Sequence, residues 1–388
     1  MIPFEKRRAT RLYKQTRLGK YDNAKSVLFL GSHETFANLV VKCARERLNF
    51  CLIEFEVPRA KLPDPFMLLR ERKNKNHPMI KESRLAKLAL RRVPLTLLNP
   101  INLIEYLHKI NFSPDYIYIA HDSKELIDLE FTLNSYYKCY TEYDETTKNF
   151  FTFKSYQNKI CLENNIPVPN ESGEYISVKR DYKSSVDKKD YLKFIKRHNT
   201  YTPSKMEFSQ EFVDIEYILN VDTYVDENSD WYIFRIAKLV CENSIAYFSF
   251  DPFTPSDKEM SEIYQIVKNL STALKIKKRL NMMQLMRCRA TQRLMFMEFN
   301  PRPSSEYAYV RSWDRSTYHP THLLLPDVEL PTVFHFERLR RNGTFWSSYK
   351  DRFTNENLVN VPIRVDFSNN DEILSDVVEN GEMVIHKV

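Results

Sequence analysis

The scarcity of glycine, five residues in 388, restricts this chain more than any other feature of its sequence. Average usage of roughly 7% would supply about 27. The five are Gly19, Gly31, Gly173, Gly343 and Gly381, and no two are close together. Glycine reaches positive φ without steric cost, so tight phosphate-cradling turns are built from clusters of it. Neither a G-x-G-x-x-G dinucleotide turn nor a Walker A loop can be written in this sequence. Any phosphate it binds must be held by side chains and by loops of another kind.

Charge and cysteine usage narrow the partners. The net charge of +7 is uneven: residues 1–25 carry +6 and residues 57–93 carry +8, which leaves the remainder at −7. Such basic segments suit nucleic acid, an anionic membrane or water. No stacking-aromatic pattern or nucleic-acid motif accompanies them, so a solvated surface is the expectation. Cys43, Cys51, Cys139, Cys161, Cys241 and Cys288 form no C-x-x-C pair, which suits free thiols in a reducing compartment. No apolar run approaches the ~18 residues of a membrane span. The expectation is a cytoplasmic protein with no membrane partner.

Hydrophobic periodicity predicts an α/β fold. Strands are expected at 25–31 and 49–55, with a helix over 35–48 between them, which is the order of a parallel βαβ unit. A loop-rich insertion follows over 57–78, then a helix over 81–92, a strand over 94–98, a helix over 102–110 and a strand over 116–120. Residues 126–150 read as a polar connection that is helical at first. Beyond it come a helix over 153–164, a strand over 175–179 and a helix over 188–198. Extended segments are expected within 205–225, 230–240 and 245–250, and a helix over 256–274. Residues 281–288 and 294–299 read as strands paired through a turn at 289–292.

The chemistry concentrates in Met295-Phe-Met-Glu298-Phe-Asn300-Pro-Arg302-Pro-Ser304. On an extended chain i, i+2 and i+4 share a face, so Glu298, Asn300 and Arg302 point one way while Met297 and Phe299 point into a core. A carboxylate beside an amide oxygen suits Mg²⁺, and an arginine two positions on can hold anionic oxygens. Gln284, on the strand expected to pair with this one, offers a further oxygen. His33, just past the first strand, lies where the crevice of an α/β sheet would be. A substrate contact there competes with a turn-capping role.

This pattern resembles the ATP-grasp superfamily, in the carbamoyl-phosphate-synthetase-like branch of carboxylate–amine ligases. The match is Gln284 followed by Glu298-Phe-Asn300-Pro-Arg302-Pro-Ser304. Upstream, Lys154 with Cys161-Leu162 and Asn165-Ile-Pro-Val-Pro169 is similar to the family's opening helix, with Asn165 in place of glycine. Tyr175-Ile-Ser-Val-Lys179 is similar to its lysine strand, with Arg180 in place of proline. Ser209-Gln-Glu211-Phe212-Val213-Asp-Ile-Glu216 resembles its hinge, with Asp214 in place of glycine. The likeness runs from about residue 25 to residue 315 as an ordered set of motifs.

The resemblance implies an N-terminal pre-ATP-grasp α/β domain over 25–125 after a basic arm at 1–24. A connector at 126–150, a small lobe at 151–203, a large lobe at 204–317 and a C-terminal extension at 318–388 would follow. It implies ATP and two Mg²⁺ ions, with Mn²⁺ an alternative. Lys154 and Lys179 would contact phosphates, with Ser184 and Ser185 in a phosphate-covering loop that lacks the family's glycines. Glu211 and the backbone of Phe212 and Val213 would meet adenine, and Glu216 the ribose. Gln284, Glu298 and Asn300 would hold metal, Arg302 would face the substrate acyl group, and Arg235 would be a further phosphate or carboxylate contact. Arg302 and Arg311 suggest an anionic substrate. The implied reaction is ATP-dependent joining of a small-molecule or peptide carboxylate to an amine through an acyl phosphate, and a homodimer is compatible with it. Two other classes stay open: a nucleotide-binding protein without turnover, and a nucleic-acid-associated protein using the basic segments 1–25 and 57–93.

Overall fold

The structure, a computed structural model, describes residues 24–31, 35–56, 87, 89–169, 175–184, 192–196, 204, 206–242, 245–247, 255–303, 310–312, 320–331, 333–340 and 377–388. The basic arm, the insertion at 57–78, His33 and Ser185 lie outside the described residues.

Strands β1 (Ser26–Leu30), β2 (Asn49–Phe55), β3 (Leu90–Val93) and β4 (Tyr116–Ile119) form a parallel sheet in the order β3-β2-β1-β4. Continuous apolar runs such as Val27–Leu30 and Tyr116–Ile119 suit strands covered on both faces. One face packs on α1 (Ala37–Arg45), through Leu39, Val40 and Cys43. The other packs on α2 (Pro100–Lys109) and α3 (Lys124–Tyr137), through Leu103, Leu107, Leu126 and Leu129. Where β1 leaves the sheet, Gly31 has φ +117°, and a Cβ there would lie 2.8 Å from the Cβ of Ala120. That close approach brings the carboxyl ends of β1 and β4 together.

Two expectations change. The strand expected at 94–98 is a 3-10 turn over Leu95–Leu98, and the strand is β3. Pro94 has no amide to give a ladder, so the strand stops before it. The helix expected over 188–198 contains β6 (Leu192–Lys196), which pairs with β5 (Tyr175–Arg180). The ladder to β5 outweighs the local helical spacing. With β7 (Glu207–Glu211) on the other side, these form the antiparallel sheet β6-β5-β7.

Helices α4 (Glu145–Thr152) and α5 (Lys154–Glu163) precede that sheet. After it, β8 (Ile215–Val225), β9 (Trp231–Glu242), β10 (Ile245–Tyr247), β11 (Arg279–Cys288) and β12 (Leu294–Asn300) build an antiparallel sheet in the order β10-β9-β8-β11-β12. Between β10 and β11 runs α6 (Asp257–Ala273), whose Ser256 and Glu259 form a capping box. A third antiparallel sheet holds β13 (Val310–Ser312), β14 (Val333–Arg340) and β15 (Val377–Val384), and β16 (His386–Lys387) pairs with β9. Among the described residues no helix is long and apolar enough to cross a membrane. Cys43, Cys51, Cys139, Cys161 and Cys288 are buried free thiols.

One core cluster joins the parallel sheet, through α3 and α4, to the underside of the large antiparallel sheet. Inside it, Arg279 of β11 donates two hydrogen bonds to Glu130 of α3, at 2.9 and 3.1 Å, and a third to the Pro301 carbonyl at 3.1 Å. Tyr143 donates to the same carboxylate at 3.1 Å, and both charged groups are buried. Removing one partner of such a pair strands a charge out of water. Arg279→Met should therefore cost about 3–5 kcal/mol in urea unfolding. The double variant with Glu130→Leu should recover a substantial part of that loss, because no unpaired charge then remains.

Candidate active site

Strand β12 lies at the edge of its sheet, and α5 supplies what a neighbouring strand would. The buried Gln157 side chain accepts from Phe299 N at 3.2 Å and donates to Phe299 O at 3.0 Å. Pro167 O accepts from Phe296 N at 2.7 Å. This clamp sets Lys154, the first residue of α5, over β12, with its Nζ 3.9 Å from Glu298 Oε1.

The ladder between β11 and β12 slips by one residue: Gln284 pairs with Glu298, but Leu285 pairs with Phe296. Met297 is the extra residue. A bulge puts two consecutive side chains on one side of a sheet. The expectation that Met297 points into the main core beside Phe299 is therefore corrected. Phe299 does join the main core, whereas Met297 packs with Val213, Ile218, Met286 and Met295 on the opposite face. On that face, polar groups follow one another across four strands: Arg235 of β9, Asn220 and Asp222 of β8, Gln284 of β11, and Glu298 and Asn300 of β12. Arg235 forms a buried ion pair with Asp222 at 3.1 Å. Gln284 donates through Nε2 to Asn220 Oδ1 at 3.1 Å, which turns its carbonyl oxygen away from Asn220.

Two side chains that sequence reasoning missed complete the cluster. Asp122, three residues past β4 at the carboxyl end of the parallel sheet, accepts from Arg302 Nε at 3.2 Å. Lys183 lies in the loop after β5. Its ammonium donates to Asp122 Oδ2 at 2.5 Å and Asn300 Oδ1 at 2.9 Å, and stands 3.1 Å from Glu298 Oε1. The position of Asp122 at a strand's carboxyl end was a usable signal, because α/β sheets bind ligands there. For Lys183 no local signal existed.

The charges perturb one another. Burial works against ionised Asp122, but Lys183 and Arg302 outweigh it and hold the carboxyl far below the usual carboxylate range. Glu298 is lowered in the same way, Lys183 and Lys154 overcoming burial. Lys183 is raised, since Asp122 and Glu298 more than offset its burial. Lys179 behaves oppositely: burial and the charge of Lys154 push it down to about 7. It lies 5.7 Å from the centre of the Phe208 ring.

Glu211 ends β7, and Phe212, Val213 and Asp214 link it to β8. The Glu216 carboxylate accepts from Gln292 Nε2 at 2.7 Å. The Ser184 hydroxyl donates to Glu125 of α3. Arg311 is on β13, paired in register with Glu337, in a different sheet from the strands that carry the cluster.

The donor set fits a hard divalent cation. It consists of one carboxylate and amide oxygens, with a second carboxylate, Asp122, beside them. Asn300 is fully buried and its Nδ2 has no hydrogen-bond partner. A cation, the Lys183 ammonium, already sits among these oxygens. Among the described residues no group of three His, Cys, Asp or Glu side chains forms a metal cluster.

This architecture recurs in solved structures. N5-carboxyaminoimidazole synthetase from Staphylococcus aureus, complexed with ADP, matches with a TM-score of 0.53 at 12% identity, over 81% of this chain and 82% of that one. The corresponding synthase from Aspergillus clavatus, in complex with ADP and 5-aminoimidazole ribonucleotide, matches with 0.53 at 11%, over 84% and 85%. The chain has the ATP-grasp fold. Rhizobium etli pyruvate carboxylase matches with 0.51 at 11%, over 81% of this chain and 31% of that one, so the fold does not by itself choose a substrate. No protein-family model matches the chain, and no curated protein matches it by sequence.

The depressed carboxyl of Asp122 makes a pH prediction. Its folded pKa is below its unfolded value, so its stabilising contribution is present above the ordinary carboxylate range and is lost as pH falls. Asp122→Asn should be less stable than wild type by about 1–3 kcal/mol at pH 6. In urea titrations the gap should begin to narrow below about pH 4, where the unfolded carboxyl takes up a proton and the folded one does not, and should close only as the pH falls through the much lower folded value.

Proposed function

We propose that this protein is an ATP- and Mg²⁺-dependent ligase that joins a carboxylate to an amine through an acyl phosphate. One observation carries the reading. In a chain with the ATP-grasp fold, Lys154, Lys179, Lys183 and Arg302 converge, among the described residues, on two carboxylates, Asp122 and Glu298. The surplus positive charge is only partly exposed and suits a polyphosphate. A lysine pushed down to about 7 is one that an incoming anion would recharge.

In this reading Lys154 and Lys179 bind the phosphates, and Glu211, the backbone of Phe212 and Val213, and Glu216 take the adenosine. Met286, Met297 and Ile218 supply an apolar floor on the same face of the sheet. Gln284, Glu298 and Asn300 hold the metal, whose contribution is to neutralise charge on the terminal phosphates. The bond from ADP to the γ-phosphorus breaks as a carboxylate oxygen bonds to that phosphorus. The amine then attacks the acyl carbon, phosphate leaves and the amine loses a proton. Arg302, oriented by Asp122, faces the acyl group. Positioning and charge neutralisation suffice for both steps, with no covalent nucleophile on the protein.

Calorimetric titration with a non-hydrolysable ATP analogue tests the reading. Binding should require Mg²⁺ and be weakened by Lys179→Ala. At pH 8 it should take up about one proton, because the phosphates restore the charge of Lys179. Proton uptake should fade below pH 6, where the lysine is already charged, and should be absent in Lys179→Met. Glu298→Ala should abolish carboxylate-dependent ADP release while the circular dichroism stays native. A wild type that binds no nucleotide at any Mg²⁺ concentration would overturn the assignment.

A further inference from the structure

The loop after β5 does more than cover a site. Asp181 accepts from Ser155 N and Ser155 Oγ, both at 2.7 Å, so its carboxylate caps the start of α5. Its backbone carbonyl accepts from Lys154 N at 2.8 Å. Two residues on, the Lys183 carbonyl accepts from Lys124 N of α3 at 2.7 Å, and Ser184 bonds Glu125. The loop is thus tied to α5 on one side and to α3 on the other. Backbone position is set by these bonds, and only the Lys183 side chain is left to choose its place. It chooses the three oxygens of Asp122, Glu298 and Asn300.

From this we infer that Lys183 is a built-in stand-in for the metal, which makes metal binding depend on nucleotide. The inference rests on the function proposed above. Glu298 and Asn300, the oxygens a divalent ion would use, are already engaged by an ammonium 2.9–3.1 Å away. Metal and lysine cannot both occupy that space, so the ion enters only as the side chain withdraws. Withdrawal also breaks the contact with Asp122 and leaves the ammonium in a cleft that already holds Lys154 and Arg302. Three fixed cations then face two carboxylates, and a bare divalent ion is repelled. A polyphosphate changes the balance, since it neutralises the incoming ion and receives the released ammonium. The cluster therefore admits the metal with its nucleotide and excludes it alone. The glycine-poor loop follows from this role: a lysine that must stand over particular oxygens needs a backbone that does not wander, and glycine would loosen it.

The test is Mn²⁺ binding, followed by loss of the free-ion paramagnetic resonance signal, on wild type, Lys183→Met, Lys183→Gln and Lys183→Arg. Each is measured with and without a non-hydrolysable ATP analogue. Without nucleotide, Lys183→Met and Lys183→Gln should bind Mn²⁺ at least about tenfold more tightly than wild type, because a competing charge is gone. Adding Glu298→Gln to either should remove the gain, and Lys183→Arg, which keeps the charge, should bind as weakly as wild type. With the analogue present, wild type should bind Mn²⁺ tightly. Equal nucleotide-free affinities in wild type and both neutral variants, with tight binding once the analogue is added, would overturn the inference and leave the proposed function standing. No Mn²⁺ binding by wild type even with the analogue would overturn both.

Discussion

The Arg279–Glu130 pair is the interaction on which the rest of the site depends. Arg279 begins β11, between β8 and the edge strand β12 of the large sheet, and Glu130 belongs to the helix that follows β4. The guanidinium's third bond is to the carbonyl of Pro301, between Asn300 and Arg302. One buried planar cation thereby fixes the end of β12 relative to the helix whose first turn adjoins Asp122. A lysine could not make this three-way contact, because its ammonium lacks the fork that meets both carboxylate oxygens at once. The pair contributes less to stability than its geometry suggests, given the cost of burying it. Its effect is positional.

Given that frame, the cleft is built by controlled departures from regularity. The Met297 bulge puts a methionine and a carboxylate side by side on the cleft face, the one adding to an apolar floor and the other reaching the cations. Gln157 satisfies the open edge of β12 with a side-chain amide, so the strand is held beside α5 without another strand to pair with. Asp181 caps α5 while its own loop is held by α3. For Gln157 the pairing satisfies a buried strand edge, and in each case the local contact is what aims a functional side chain.

Much of the fold was legible locally. Parallel strands covered on both faces must be apolar throughout, so Val27–Leu30, Phe50–Ile53 and Tyr116–Ile119 announced themselves. The helix over 257–273 and the hairpin of β11 and β12 were equally plain, since helical periodicity and the turn at 289–292 are short-range signals. Residues 94–98 misled because a leucine-rich run after a proline has strand composition but no partner to pair with. Residues 192–196 misled because alternation over five residues is too short to compete with helical spacing until β5 is known to lie alongside.

For the candidate site the division is sharper. Two-residue spacing on an extended chain was enough to put Glu298 and Asn300 on one face, and glycine scarcity was enough to exclude glycine-rich phosphate turns. The chain bends after Asn300, where Arg302 N bonds Asn300 O, so Arg302, Asp122 and Lys183 join that pair through long-range contacts alone. Lys183 meets Asp122 across 61 residues and Asn300 across 117, and Arg302 meets Asp122 across 180. No periodicity reaches so far. Charges find such partners only when a core has already folded and removed the water that would otherwise separate them.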